Sequence, residues 1–162
     1  EMIEAIIDAE IPVMGHLGLT PQSVNAMGGF RVQAKSVEAA GELVEDAKAL
    51  VAAGVFSIVL EGVPDVVAEM VTEAIDVPTI GIGAGAGTDG QVLVFHDVVG
   101  LENRVHPKFV RRYAELLDRA TEAVTAYAAD VRSGAFPDDS ETYHVSDEVA
   151  EALELYGSTG SQ

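Results

Sequence analysis

The sequence predicts an α/β fold of four βα units, half of a (β/α)8 barrel, and three observations carry that prediction. Apolar strand signals alternate with helix signals along the chain. The strands read as short, nearly continuous apolar runs, the pattern of a parallel sheet buried on both faces. Distinctive residues stand at strand ends, the edge where parallel α/β folds place their chemistry. A whole barrel takes about 250 residues, and this chain has 162. A complete four-strand doubly wound sheet is the structural alternative. It fits less well, because functional-looking residues end all four strands and not a single switch point.

Each element has its own signal. Met2 to Ala9 reads as the end of a helix, with Ile3, Ile6 and Ile7 on one face, and Ile11 to Met14 as a strand. Residues 16–35 read as a long loop with turn signals at Thr20-Pro21, Asn25 and Gly28-Gly29, a length that is usually functional. Ser36 is placed to cap a helix in which Leu43, Ala47 and Leu50 are spaced for burial, and Gly54 ends it. Phe56 to Leu60 is the second strand, Pro64 opens a helix reaching about Ala74, and Pro78 to Ile82 is the third strand. Val92 to Phe95 is the expected fourth strand, and a helix is expected from Pro107 to Arg132 with Phe109, Tyr113, Leu116 and Val124 on its apolar stripe. The expected domains are 1–136, the half-barrel, and 137–162, an acidic tail of linker, short helix (Ser146 to Tyr156) and disordered end.

Composition narrows the function classes. A net charge of −18 argues against a nucleic-acid partner, since no basic patch neutralises phosphates. Low hydrophobicity, the other requirement for disorder, is missing at 48% hydrophobic residues. Acidic residues spread over helical faces fit a surface adapted to a salt-rich cytoplasm, and a halophilic origin is expected. The longest nearly apolar run, Ala49 to Leu60, is too short to cross a bilayer, so no membrane partner is expected. Without cysteine there is no disulfide, thiol catalysis or Cys-based zinc site. The chain starts at Glu1, so no targeting leader is read from it.

Glu61 is the carboxylate best placed for chemistry. It follows four apolar strand residues and precedes Gly62, where desolvation would make it a competent general base. On spacing alone, capping the helix at Pro64 or pairing with a cation is an equal reading. His16 stands beside a glycine-rich loop, where a lone histidine is more often structural. Gly81, Gly83 and Ala86 have dinucleotide-type spacing, but Thr88-Asp89-Gly90 interrupts where the phosphate-binding helix should start. Close approach of the backbone to a ligand is the better reading of these glycines. His96-Asp97, with Asp89 and His106 nearby, matches no established ligand spacing.

Three motifs in order, Gly15-His16-Leu17-Gly18-Leu19-Thr20-Pro21-Gln22-Ser23 with Gly28-Gly29-Phe30, then Ile58-Val59-Leu60-Glu61-Gly62-Val63-Pro64, then Ile80-Gly81-Ile82-Gly83-Ala84-Gly85 with Asp89-Gly90-Gln91, resemble the ketopantoate hydroxymethyltransferase family. The likeness runs to about residue 137 and covers the second half of that family's barrel. It implies hydroxymethyl transfer from 5,10-methylenetetrahydrofolate to 3-methyl-2-oxobutanoate, with Glu61 as proton acceptor and His16 as a ketoacid contact. Gln22, Ser23, Gly28 and Gly29 share the first motif, with roles that loop geometry alone would explain. His96-Asp97 matches the family's His-Asp, read as mainly structural. His106-Pro107-Lys108-Phe109 matches its Pro-Lys-Phe segment, and Lys108 is a candidate partner for a neighbouring carboxylate. The resemblance further implies Mg²⁺, with no metal ligand in this chain and the ligands in a preceding half, together with a cytoplasmic homo-oligomer. This polypeptide alone is then expected to be an incomplete, inactive part. Two other functions stay open at this point: another metal-dependent ketoacid enzyme of the phosphoenolpyruvate/pyruvate barrel class, and a non-catalytic half-barrel acting by assembly.

Overall fold

The computed structural model describes residues 1–20, 32–102 and 107–158. Gln22, Ser23, Asn25, Gly28, Gly29, Phe30 and His106 lie outside the described residues. The chain divides into two compact units, Glu1–Glu115 and Leu116–Gln162.

The first unit is an α/β layer. Helix α1 (Met2–Asp8) precedes β1 (Met14–Gly18), α2 (Val37–Ala52), β2 (Ser57–Glu61), α3 (Asp65–Ala74), β3 (Thr79–Ile82), the short β4 (Gly90–Gln91) and α4 (Phe95–Val98). The sheet order is β1-β2-β3-β4, and every pairing is parallel. The order advances in one direction without reversal, so these strands contain no switch point of the doubly wound kind.

Local chemistry sets the helices. The Ser36 hydroxyl accepts from the Ala39 N–H at 3.1 Å and starts α2. Gly54 follows α2 at φ 95°, a conformation that glycine adopts without strain. Pro64 precedes α3, and Asp65 Oδ1 accepts from the Val66 N–H.

The sheet has two unlike faces. Register puts Leu17 beside Leu60 and Ile58 beside Thr79, and these residues point toward the helices. Ile58 and Leu60 are fully buried in a cluster with Ala40, Leu43 and Ala47 of α2 and Val67, Ala68 and Val71 of α3. Each Val, Leu or Ile among these contributes about 1.5–3 kcal/mol through burial. On the opposite face stand Met14, His16, Val59, Glu61, Ile80 and Ile82, none of which belongs to that cluster.

Four elements depart from expectation. Strand β1 begins at Met14, where the apolar run Ile11 to Met14 was expected to end, so His16 lies within a strand and not in a loop. The ladder at β4 takes in Gly90 and Gln91, with Val92 N–H bonded to the Gly81 carbonyl, whereas Phe95–Val98 is helical. No helix separates β3 from β4. Asp89 Oδ2 accepts from the Thr79 N–H at 2.8 Å and hydroxyl at 3.1 Å, which folds the loop back along β3 and brings Gly90 beside Ile80. Residues 107–115 are not helical either: the Tyr113 N–H bonds to the Val98 carbonyl and Arg112 to the Glu102 carbonyl. The Tyr113 N–H thus goes to a tertiary acceptor in place of a helical one.

The second unit holds α5 (Leu116–Ser133), a 3-10 turn (Asp139–Glu141) and α6 (Asp147–Ser158). No residue of α5 is buried. Within this unit the Tyr127 and Phe136 rings meet edge to face at 5.3 Å.

Candidate active site

Two strand ends meet at the candidate base. Glu61 closes β2 and His16 sits on the adjoining β1, on the sheet face away from the helices. His16 Nε2 lies 3.1 Å from Glu61 Oε2, and their side chains are 34% and 15% exposed. The glycines around His16 explain how it gets there. A Cβ on Gly15 would stand 2.9 Å from Leu50 Cδ1, and one on Gly18 would collide with the Glu61 carbonyl oxygen. Gly18 also has φ 87°, so this segment lies closer to α2 and to β2 than any side chain allows. The Leu19 N–H then bonds to the Glu61 carbonyl at 2.8 Å. The motif is therefore a clamp that holds an imidazole against a carboxylate.

Beside the pair lies a cavity of about 500 Å³ at the C-terminal ends of the strands. Leu19, Val32, Ile82, Val94 and Phe109 make its walls mostly apolar, and Glu61, Asp97 and Lys108 supply the charge. A partly desolvated carboxylate next to an imidazole, at the edge of an apolar cavity, suits proton abstraction from a carbon acid. Capping of α3 is not its role, since the α3 N-cap is Pro64 and the first-turn N–H of Val66 is taken by Asp65.

The glycine loop serves the protein's own packing. A Cβ on Gly81 would meet Thr88 Oγ1 at 2.6 Å, and one on Gly85 would collide with Asp65 Cβ. Gly83, at φ 65°, lies under the Phe109 ring, whose Cδ1 would stand 2.6 Å from any Cβ added there. Neighbouring side chains thus occupy the space that the sequence pattern suggested for a ligand. Asp89 is engaged with Thr79, and His96 is exposed, packing edge-on against Phe95. Among the described residues no three His, Asp or Glu side chains group as a metal site.

Sequence reasoning underrated Asp97 and Phe109. Asp97 read as structural and Phe109 as part of a helix stripe, yet both line the cavity. Lys108 lines it too. Asp97 stands just past the expected strand Val92 to Phe95, which the structure does not form; nothing in the local pattern announces the return of residues 107–109.

The family described as ketopantoate hydroxymethyltransferase matches residues 1–139. The chain is 53% identical over 153 residues to 3-methyl-2-oxobutanoate hydroxymethyltransferase 2 of Bradyrhizobium diazoefficiens, covering 94% of this chain and 52% of that protein. It is 57% identical over 151 residues to the 3-methyl-2-oxobutanoate hydroxymethyltransferase of Nitratidesulfovibrio vulgaris, covering 93% of this chain and 49% of that protein. The likeness to the enzyme of the same name from Clostridium beijerinckii is 52% over 151 residues, 93% of this chain and 55% of that one. The chain thus spans about half the length of the curated relatives it matches.

Proposed function

Because the chain belongs to the ketopantoate hydroxymethyltransferase family, we propose that it forms the second half of a (β/α)8 barrel that converts 3-methyl-2-oxobutanoate into 2-dehydropantoate with 5,10-methylenetetrahydrofolate. The observation that carries this reading is the His16–Glu61 contact at the cavity edge. Glu61 takes the C3 proton of the ketoacid, and the electron pair of that C–H bond moves into the C2 carbonyl to give an enolate. Water adds to the carrier's methylene carbon and its C–N bonds break, releasing tetrahydrofolate and the one-carbon unit as formaldehyde. The enolate carbon attacks that carbonyl carbon, and the alkoxide formed takes the proton back from Glu61 to become the hydroxymethyl group. His16 donates from Nε2 to Glu61, fixing which carboxylate oxygen faces the substrate. This makes it a positioning residue, a role added to the ketoacid contact that the family likeness implies.

Two further supports bear on the barrel. The strand order advances without reversal, and one sheet face carries the helices while the other carries His16 and Glu61. The domain reading is 1–136 for the half-barrel and 137–162 for the acidic tail. The described residues do not fit Mg²⁺ by themselves, having no group of three ligand side chains. The family likeness implies Mg²⁺ ligands in a preceding half of the barrel, and on that reading the chain unaided is expected to be inactive. No described helix is long and apolar enough to cross a membrane. A cytoplasmic homo-oligomer with a salt-adapted acidic surface is the matching cellular reading.

The test is deuterium exchange at C3 of 3-methyl-2-oxobutanoate, followed by NMR in the complete barrel without folate. Exchange that falls about 100-fold or more in Glu61→Gln supports Glu61 as the base. Exchange unchanged in that variant assigns proton removal to another group.

A further inference from the structure

The cavity beside Glu61 is larger than a small ketoacid needs, and its wall carries charge that proton abstraction does not use. About 500 Å³ is the size of sites that enclose a drug-sized ligand. Asp97 lines that wall, half-buried, and its carboxylate has no hydrogen bond or ion pair among the described residues. Lys108 is the one cation among the described lining residues. Phe109 lies across Gly83 with its ring against the backbone and is 39% exposed, so it keeps accessible ring surface.

Resting on the transferase reading, we infer that Asp97, Phe109 and Lys108 form the subsite for the one-carbon carrier. The chemistry matches part by part. A pterin is flat and polarisable, and an aromatic ring supported on glycine backbone gives it a platform. Its aminopyrimidine edge presents two adjacent donors, N3–H and the 2-amino group, which match the two oxygens of one carboxylate. Asp97 receives that edge. Lys108 pairs with the carboxylates of the carrier's glutamate tail. The placement puts the carrier in the cavity that Glu61 also lines, so that the enolate and the one-carbon unit share a single apolar space.

Calorimetric titration of the complete barrel with two probes, 6-methyltetrahydropterin and 5-formyltetrahydrofolate, tests the assignment. The wild-type protein should bind both. Asp97→Asn should weaken both about tenfold or more, as expected for hydrogen bonds to a charged group. Lys108→Met should weaken only the tailed probe. Equal affinities in Asp97→Asn and wild type, or no binding of either probe by the wild type, overturns the subsite. An equal loss for both probes in Lys108→Met overturns the tail contact. Thermal melting checks each variant's fold, and Phe109→Leu, expected to weaken both probes several-fold, carries the test if Asp97→Asn does not fold. Failure of the transferase reading shows in a different assay, the C3–H exchange of the ketoacid, which uses no folate.

Discussion

Leu60 and Glu61 are neighbours in sequence and belong to different parts of the molecule. Leu60 points into the helix layer, fully buried against α2 and α3. Glu61 points the other way, toward His16 and the cavity. The same alternation separates Ile58 from Val59 and Leu17 from His16. One face of the sheet thus holds the stability and the other the chemistry, and the period of two keeps them apart. A slip of one residue in β2 would put a carboxylate into the core and a leucine at the site.

The largest expected effects come from breaking each face separately. Leu60→Ala should cost about 2–5 kcal/mol of stability, measured by denaturant unfolding, because the packed layer cannot close the void. Glu61→Gln should leave that stability within about 0.5 kcal/mol while removing the C3–H exchange. If Leu60→Ala left unfolding unchanged, the helix-facing side would not be where stability resides.

Next in size is the brace between the faces. Asp89 holds the Thr79 N–H and hydroxyl, and Thr79 is fully buried. Asp89→Ala leaves that N–H without its acceptor and should cost about 1–3 kcal/mol. Amide exchange at Thr79 reports it directly, and protection equal to wild type would show that Asp89 does not set the start of β3. Smaller again is His16→Ala, expected to lower C3–H exchange about tenfold with the ketoacid KM changed less. A change confined to KM would make His16 a substrate contact and not a positioning residue.

What could be read in advance followed the same division. The helix-facing side was legible, because burial writes itself as spacing: Leu43 and Ala47 after a capping Ser36, Val67 and Val71 after Pro64. Strand β1 was misplaced for a physical reason. Its helix-facing positions are Gly15 and Leu17, and Gly15 must be small to admit Leu50 and Ile58, so the strand lacks the apolar run that marks the others. The apolar run Val92 to Phe95 misled in the opposite sense, since Asp89 already fixes where the ladder forms. Glu61 and His16 were legible from motif order. Asp97 and Phe109 were not, because a long-range backbone bond, Tyr113 N–H to Val98 C=O, brings the segment after Pro107 back against the segment that carries Asp97.

The smallest effect sharpens the comparison by touching the covering layer alone. Ser36 accepts from the Ala39 N–H at the start of α2, and Ser36→Ala should cost about 1 kcal/mol with C3–H exchange unchanged. Glu38 reports the same turn. A bond from its own backbone N–H, and then one from the Ser36 hydroxyl, hold its carboxyl below the ordinary glutamate range. A lowered value means that ionised Glu38 favours the folded helix. That contribution is complete above the unfolded value and disappears as pH falls through the folded one. NMR titration should therefore place the Glu38 midpoint below that of the unfolded chain, and Ser36→Ala should move it back upward. A midpoint unmoved by Ser36→Ala would leave the backbone bond as the sole cause, and the cap would then act on α2 without acting on its charge.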